Sequence, residues 1–503
     1  MMNRSRRRTT KWNLIFHYYT VAYAIISGIA LVPLYLHYIP LDLYGSWLAA
    51  SNVVAWISIV DPGLSTVIMQ RLSAAYGKND DRVVSALITN GLLLSVLLSV
   101  VVLAIGLILS PFVFIIVKLP EADRFLVLQP AFTVAVIGTA LMILSYGFTA
   151  INQGFQSSLG IGLIFVFTTL SSLVLTAWLL VLGYGVMSLP LALVYRGIAF
   201  SIGNAAYLLW RLRVDKTRVR VNFEGLRNLV NLLLYTFSGK ALGGIAANMD
   251  ALIITRYIGP EVAPILLLTR KAPELSRTLL ERPAVAFMPA VANLYGTGDV
   301  ERTRTILVRL LRIIIWLMGL TSVAFLLLNE TFVGLWVGEE LFAGTAVNIT
   351  IVFGIIVLVL VSNLSNICYA LGNIKGNSLA ILAQSLISIP LMIAGAKYFG
   401  MIGVAIAPIL AALAVSSWYY PLIFARLTQI GWLDTKKLLL EFGLVAAAAI
   451  MMYLGLSWIQ PSTWLGFICI AVIISIAYGT CLFLISKAFR GEILALAARF
   501  LEK

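Results

Sequence analysis

EVAPILLLTRKAPELSRTLLERPAVAFMPAV, residues 261–291, is a membrane-length apolar stretch with six charges in its middle: Arg270, Lys271, Glu274, Arg277, Glu281 and Arg282. At about 100° per residue, Arg277, Arg270, Glu281 and Glu274 fall within roughly 60° of one another on a helix, and Lys271 and Arg282 widen the arc to about 140°. The other positions are mostly Leu, Ala, Val and Met. A charge at mid-bilayer costs roughly 2.5–3.5 kcal/mol even on the lenient insertion scale. Six such charges cannot all face lipid. The stretch predicts a helix that turns one side to a polar, water-filled cavity inside a membrane protein.

The rest of the chain agrees. Its 503 residues are 61% apolar and only 11% charged, with mean hydropathy +0.99, too little polar surface for a soluble fold. Apolar runs of about 20 residues or more predict fourteen spans near 12–38, 43–69, 84–115, 123–151, 157–182, 185–210, 228–256, 261–291, 305–328, 342–371, 377–397, 401–425, 438–459 and 463–486. The expected fold class is an all-α polytopic membrane protein. With the N-terminus inside, 26 of the 36 Lys and Arg residues fall in cytoplasmic segments, four (Lys118, Arg124, Arg256, Lys397) outside and six within spans. That bias places both termini in the cytoplasm and accounts for most of the +15 net charge. The basic residues sit in short loops with little aromatic interleaving, which argues against nucleic acid as a partner. The basic N-terminal stretch (Arg4, Arg6, Arg7, Arg8, Lys11) leads into an apolar run that passes the cleavage-like Ala22-Tyr23-Ala24 and reaches Ile39, so the first span reads as uncleaved. His17 and His37 are the only histidines, and Cys368, Cys469 and Cys481 lie in spans without ligand spacing. No metal or haem site is expected, and no cofactor.

An internal repeat appears at an offset of 219–220 residues. Tyr38-Ile39 pairs with Tyr257-Ile258, and Tyr76-Gly77-Lys78-Asn79-Asp80 with Tyr295-Gly296-Thr297-Gly298-Asp299. Ala150-Ile151-Asn152-Gln153-Gly154 pairs more weakly with Ala370-Leu371-Gly372-Asn373-Ile374. Six spans precede the join and six follow it, so the copies enter the membrane from the same side as parallel repeats. The expected organisation is an N-terminal lobe at 1–211, a basic linker at 212–227, a C-terminal lobe at 228–427, and two additional spans with a tail at 428–503. Two six-helix lobes around a central cavity suit alternating access. The predicted outside loops are short, and GxxxxGK[ST] is absent, so neither a glycan-polymerising enzyme nor an ATP-driven pump is expected. The chain is read as a non-enzyme.

Leu43-Tyr44-Gly45-Ser46-Trp47, then Asp61-Pro62-Gly63-Leu64 and Arg71, resembles the second-span signature of the polysaccharide-transporter branch of the multidrug/oligosaccharidyl-lipid/polysaccharide flippase superfamily. Asp250-Ala251-Leu252-Ile253-Ile254, Tyr257-Ile258-Gly259 and Leu335-Trp336-Val337-Gly338 are similar to its seventh and ninth spans. Over roughly residues 12–427 the arrangement is nearest to Wzx-type O-antigen flippases. The resemblance implies two six-helix bundles around a cavity lined by the first, second, seventh and eighth spans. It implies transfer of a polyprenyl-pyrophosphate-linked oligosaccharide across the cytoplasmic membrane, working beside a glycan polymerase and glycosyltransferases. Most such flippases have twelve spans. Fourteen-span members include lipid II flippases, and multidrug exporters of organic cations share the superfamily, so both remain alternatives.

Ten ionisable residues lie well inside spans: Asp61, Arg196, Lys240, Asp250 and the six of 261–291. Six basic against four acidic leaves +2, which favours an anionic lipid headgroup over a cationic drug. Guanidinium groups match phosphate oxygens bidentately and lysine acts as a point charge. Arg270–Glu274 and Arg277–Glu281 are i,i+4 pairs and Glu274–Arg277 is i,i+3, so a self-neutralising ladder is available. Lys271 reaches Glu274 only in competition, and Arg282, Arg196 and Lys240 have no acidic partner at these spacings. These four are the freest to meet a phosphate, and the resemblance adds Arg270 and Arg277. Asp61 and Asp250 are candidates to bind Na⁺ or exchange H⁺, or simply to cap a broken helix and to pair with a cation such as Lys240. Pro273 cannot donate to the Thr269 carbonyl, so a kink is expected there.

Overall fold

The computed structural model describes residues 2–58, 64–77, 80–117, 122–214, 219–296 and 299–501. Every regular element among them is helical. The chain divides into two compact units, Met1–Ala263 and Pro264–Lys503.

The first unit contains α1 (Met2–Tyr38), α2 (Leu41–Ser58), α3 (Leu64–Gly77), α4 (Asp81–Leu109), α5 (Val113–Val117), α6 (Ala122–Gly154), α7 (Ser158–Val181), α8 (Ser188–Val214), α9 (Leu226–Ala247) and α10 (Asp250–Tyr257). At its centre α6 presents Leu128, Phe132, Ala135 and Val136 to Ala49, Ala50 and Val53 of α2 and to Leu252 of α10. At the other end of α6, Ile151 and the adjoining Phe155 pack on a layer formed by Ile68 and Leu72 of α3 and by Leu87 and Ile88 of α4. Gly106 lets α4 approach α6 closely, because a Cβ there would overlap Val136. Small residues at helix contacts replace the hydrophobic driving force that lipid removes.

The second unit contains α11 (Val262–Gly296), α12 (Val300–Val337), α13 (Thr345–Ala370), α14 (Ile374–Ala414), α15 (Ser416–Thr428), α16 (Trp432–Leu456), α17 (Trp464–Ile485) and α18 (Lys487–Leu501). Here α12 is central. Leu307, Leu311, Ile314 and Met318 meet Leu280 and Ala284 of α11, Ile355 and Val359 of α13, and Tyr420 and Phe424 of α15. Another side of α12 carries α16 and α17 through Trp316, Val323, Val445, Ala448 and Tyr478.

Among the described residues each of the fourteen expected spans falls on helix, and the third, seventh and twelfth are each built from more than one. The turn between the eleventh and twelfth is hidden inside α14, where Gly400 takes a left-handed φ of 59° that favours glycine. Among the described residues, nine stretches are long and apolar enough to cross a membrane. The charged α11 is not one of them, as six charges on one helix require. Large apolar side chains such as Phe167, Trp178, Leu454 and Leu465 are exposed, a surface that lipid covers and water does not. The chain is an all-α, multi-pass membrane protein.

The repeat leaves a mark on backbone chemistry. Asp80 caps α4 by accepting from the Val83 N–H at 3.1 Å, and Asp299 caps α12 by accepting from the Arg302 N–H at 3.1 Å. The two residues are 219 apart, the offset found in sequence. The weakest sequence match needs correction. Phe155, Gln156 and Ser157 close α6 by donating to Ile151, Gln153 and Asn152. Leu371, Gly372 and Asn373 close α13 with the same pattern onto Ile367, Tyr369 and Cys368. Positive φ at Gln156 and Gly372 fixes the offset there at 216, because the turn geometry and not the residue names sets the register.

Candidate functional site

From Thr269 onward the buried side of α11 is drawn by Thr269, Pro273, Leu280 and Ala284, which lie within about 60° of one another at helical spacing; nearer its start Ala263, Pro264, Leu266 and Leu268 are buried all round the helix. The helix runs unbroken from Val262 to Gly296, through both Pro273 and Pro283. Arg277 and Arg270 follow at the edge of the buried side, then Glu281 and Glu274. Lys271 and Arg282 fall last, some 160–180° from the buried side. They point away from the core of their own unit.

The ladder exists. Arg277 Nε lies 2.9 Å from Glu281 Oε1, and Arg270 Nε lies 3.6 Å from Glu274 Oε2. Both pairs are partly solvated, so each contributes only about 0.3–0.5 kcal/mol. Their main effect is to cancel charge along the helix. Lys271 is half-buried and Arg282 exposed, and among the described residues neither makes an ion pair or hydrogen bond. The stripe therefore presents two uncompensated positive charges on one side.

Arg196 sits apart, in the first unit. Its guanidinium lies 5.7 Å from the centre of the Phe165 ring, at a distance where cation–π attraction operates. Beside it, Tyr19 and Tyr23 of α1 stack at 6.2 Å, and the Tyr19 hydroxyl shares a 3.0 Å hydrogen bond with Thr169 of α7. One arginine is thus set among aromatic rings and a hydroxyl pair.

Asp250 opens α10 and is buried. One carboxylate oxygen accepts from the Ala251 N–H at 2.8 Å. Just before it, the seventh span breaks at Asn248 and Met249, and Trp56 of α2 donates its indole N–H to the Asn248 carbonyl at 2.8 Å. Irregular backbone at membrane depth persists only where protein or water satisfies it. The sequence pointed to Asp250 but not to the break, whose only local sign is the polar Asn248 two residues earlier. Asp61 lies outside the described residues, and so does the side chain of Lys240.

One carboxylate escaped sequence reasoning. Glu441 on α16 is buried and accepts from the Trp316 indole N–H at 3.0 Å and from the Ser486 hydroxyl at 2.8 and 3.0 Å. It lies near the expected start of the thirteenth span, where a charge usually marks the interface.

The sequence matches no family profile and no curated protein. Solved structures do share the fold. The lipid II flippase MurJ in an inward closed conformation superposes with a TM-score of 0.67 at 15% identity, over 93% of this chain and 98% of that one. An inward-facing multidrug resistance MATE family transporter of the MOP superfamily gives 0.67 at 14% identity, over 81% and 95%. An outward-facing MATE transporter gives 0.56 at 15%, over 85% and 97%. Residues 428–503 make up about 15% of the chain, so a match over 93% extends into the last helices.

Proposed function

We propose that this protein is a flippase that carries a polyprenyl-pyrophosphate-linked oligosaccharide across the cytoplasmic membrane by alternating access, with both termini in the cytoplasm. The carrying observation is the pair Lys271 and Arg282, uncompensated and turned away from the core of their unit. A lipid-linked pyrophosphate is an anion with hydroxyl-rich sugars and an apolar tail. Two cations on a wet helix face attract the headgroup, while neighbouring ladder charges offer hydrogen-bond partners without adding net charge. Arg270 and Arg277 are the next contacts, and Arg196 and Lys240 the contributions from other spans. The reading carries with it a glycan polymerase and glycosyltransferases as working partners.

A net positive stripe disfavours organic cations, which an acidic excess would suit. The lipid II reading differs only in the sugar and peptide, and the cations serve it equally. An Na⁺ or H⁺ gradient supplies the energy, with Asp250 and Asp61 as candidate coupling groups and Glu274 and Glu281 as cavity ion pairs.

The reading is tested in a strain that lacks its own flippase and depends on this chain for surface glycan. Lys271→Glu and Arg282→Glu are expected to reduce export at least about tenfold, the equivalent of one charge-assisted contact of roughly 1.5–3 kcal/mol, at normal membrane levels. Full export by the double variant would reject the cationic mechanism.

A further inference from the structure

Two asparagines grip α11 from neighbouring helices, and the grips bracket four of its six charges. Pro273 has no N–H to give the Thr269 carbonyl, which a regular helix would satisfy from residue 273. Thr269 is fully buried, so water cannot supply the missing donor. Asn329 of α12 does: its Nδ2 donates to the Thr269 oxygen at 2.9 Å. The second hydrogen of that amide goes to Asn348 Oδ1 of α13 at 2.8 Å, and Asn348 in turn donates to the Phe325 carbonyl at 3.0 Å. Two acceptors facing one nitrogen fix which way the Asn329 amide points.

The second grip lies three turns on. Pro283 crowds the carbonyls one turn before it, and Asn363 of α13 donates to the Leu280 oxygen at 3.3 Å and to Val359 at 2.8 Å. Asn329, Asn348 and Asn363 are all buried. In both gripping residues, Asn329 and Asn363, the Oδ1 is buried without a hydrogen-bond partner among the described residues, a cost native proteins seldom carry without return. The return is the donor. Thr269 and Leu280 stand about 20° apart on the helix wheel, so both grips pull on one side. Between them lie Arg270, Lys271, Glu274 and Arg277.

We infer that Asn329 and Asn363, with Asn348 behind Asn329, are positioning residues that fix the rotation of α11 about its axis. They keep the charged side turned away from the core where the proline sites have weakened the backbone ladder. The inference rests on the proposed function only for why that rotation matters.

A double-mutant cycle tests it without any substrate, so its failure and that of the flippase reading are separable. In the full-length protein in detergent, Asn329→Leu leaves the Thr269 carbonyl unpaired and lowers the unfolding midpoint. Pro273→Ala restores the helical N–H, and in that background Asn329→Leu is expected to lose most of its effect. If Asn329→Leu alone does not accumulate, the double variant must. Rotation is read separately, with Cys469 and Cys481 changed to Ser. A water-soluble maleimide is expected to label Lys271→Cys several-fold faster than Ala284→Cys, which lies on the buried side, and Asn329→Leu to shrink that ratio. Equal costs of Asn329→Leu in both backgrounds, or an unchanged labelling ratio, would overturn the inference.

Discussion

At the scale of single residues, the six charges of α11 separate into two kinds. Arg270, Glu274, Arg277 and Glu281 neutralise one another at i,i+4, so exchanging a pair should be tolerated. Arg277→Glu combined with Glu281→Arg is expected to restore most of the export that either change removes alone, measured as surface glycan. Lys271 and Arg282 have no partner to exchange with, and their reversal should find no such rescue within the helix. The wheel made this division legible in the sequence for Arg282. For Lys271 it was legible only as a competition, since Glu274 stood within reach of three cations, and the folded side chains show Glu274 engaged by Arg270. Glu441 was illegible for a different reason. Its partners, Trp316 and Ser486, lie 125 and 45 residues away, and no local spacing announces them. Glu441→Leu strands the indole N–H and the hydroxyl in a dry contact, at a cost of about 1–3 kcal/mol in unfolding measurements, while Glu441→Gln keeps an acceptor and should cost less.

The elements show where periodicity succeeds and where it stops. Span positions were readable because lipid demands about twenty apolar residues whatever the neighbours are. The breaks were harder, because a break needs a partner to satisfy the freed backbone. At Pro273 the helix assignment runs on, and the carbonyl that the proline frees is taken up by Asn329. The seventh span breaks instead at Asn248–Met249, with Trp56 as the partner. Asp250 stands at that break, so the coupling hypothesis belongs to this scale. Asp250→Asn is expected to abolish the dependence of transport on an imposed pH or Na⁺ gradient. Unchanged gradient dependence would remove the residue from coupling. The matched caps at Asp80 and Asp299 make the repeat testable too. Asp80→Ala and Asp299→Ala are each expected to lower stability by about 1 kcal/mol, read as similar shifts in unfolding midpoint.

Over the whole molecule, the last two spans gain a defined seat. Asp434 lies 3.6 Å from Arg304, Glu492 pairs with Arg309, and Glu441 accepts from Trp316. Every described carboxylate of residues 428–503 thus bonds a group on α12, the central helix of the second unit. Gly319 completes the seat, since a Cβ there would overlap Val445 and the Tyr478 hydroxyl. The fold is shared with a lipid II flippase and with multidrug transporters and by itself names no cargo, so the proposed reading rests on the sign of the exposed charge. Proteoliposomes containing the purified chain decide it most directly, using a fluorescent polyprenyl-pyrophosphate oligosaccharide and, in parallel, an organic cation. The account predicts gradient-dependent movement of the anionic lipid, slowed at least about tenfold by Lys271→Glu with Arg282→Glu, and no movement of the cation. Uptake of the cation, or undiminished lipid transfer by the double variant, would contradict it.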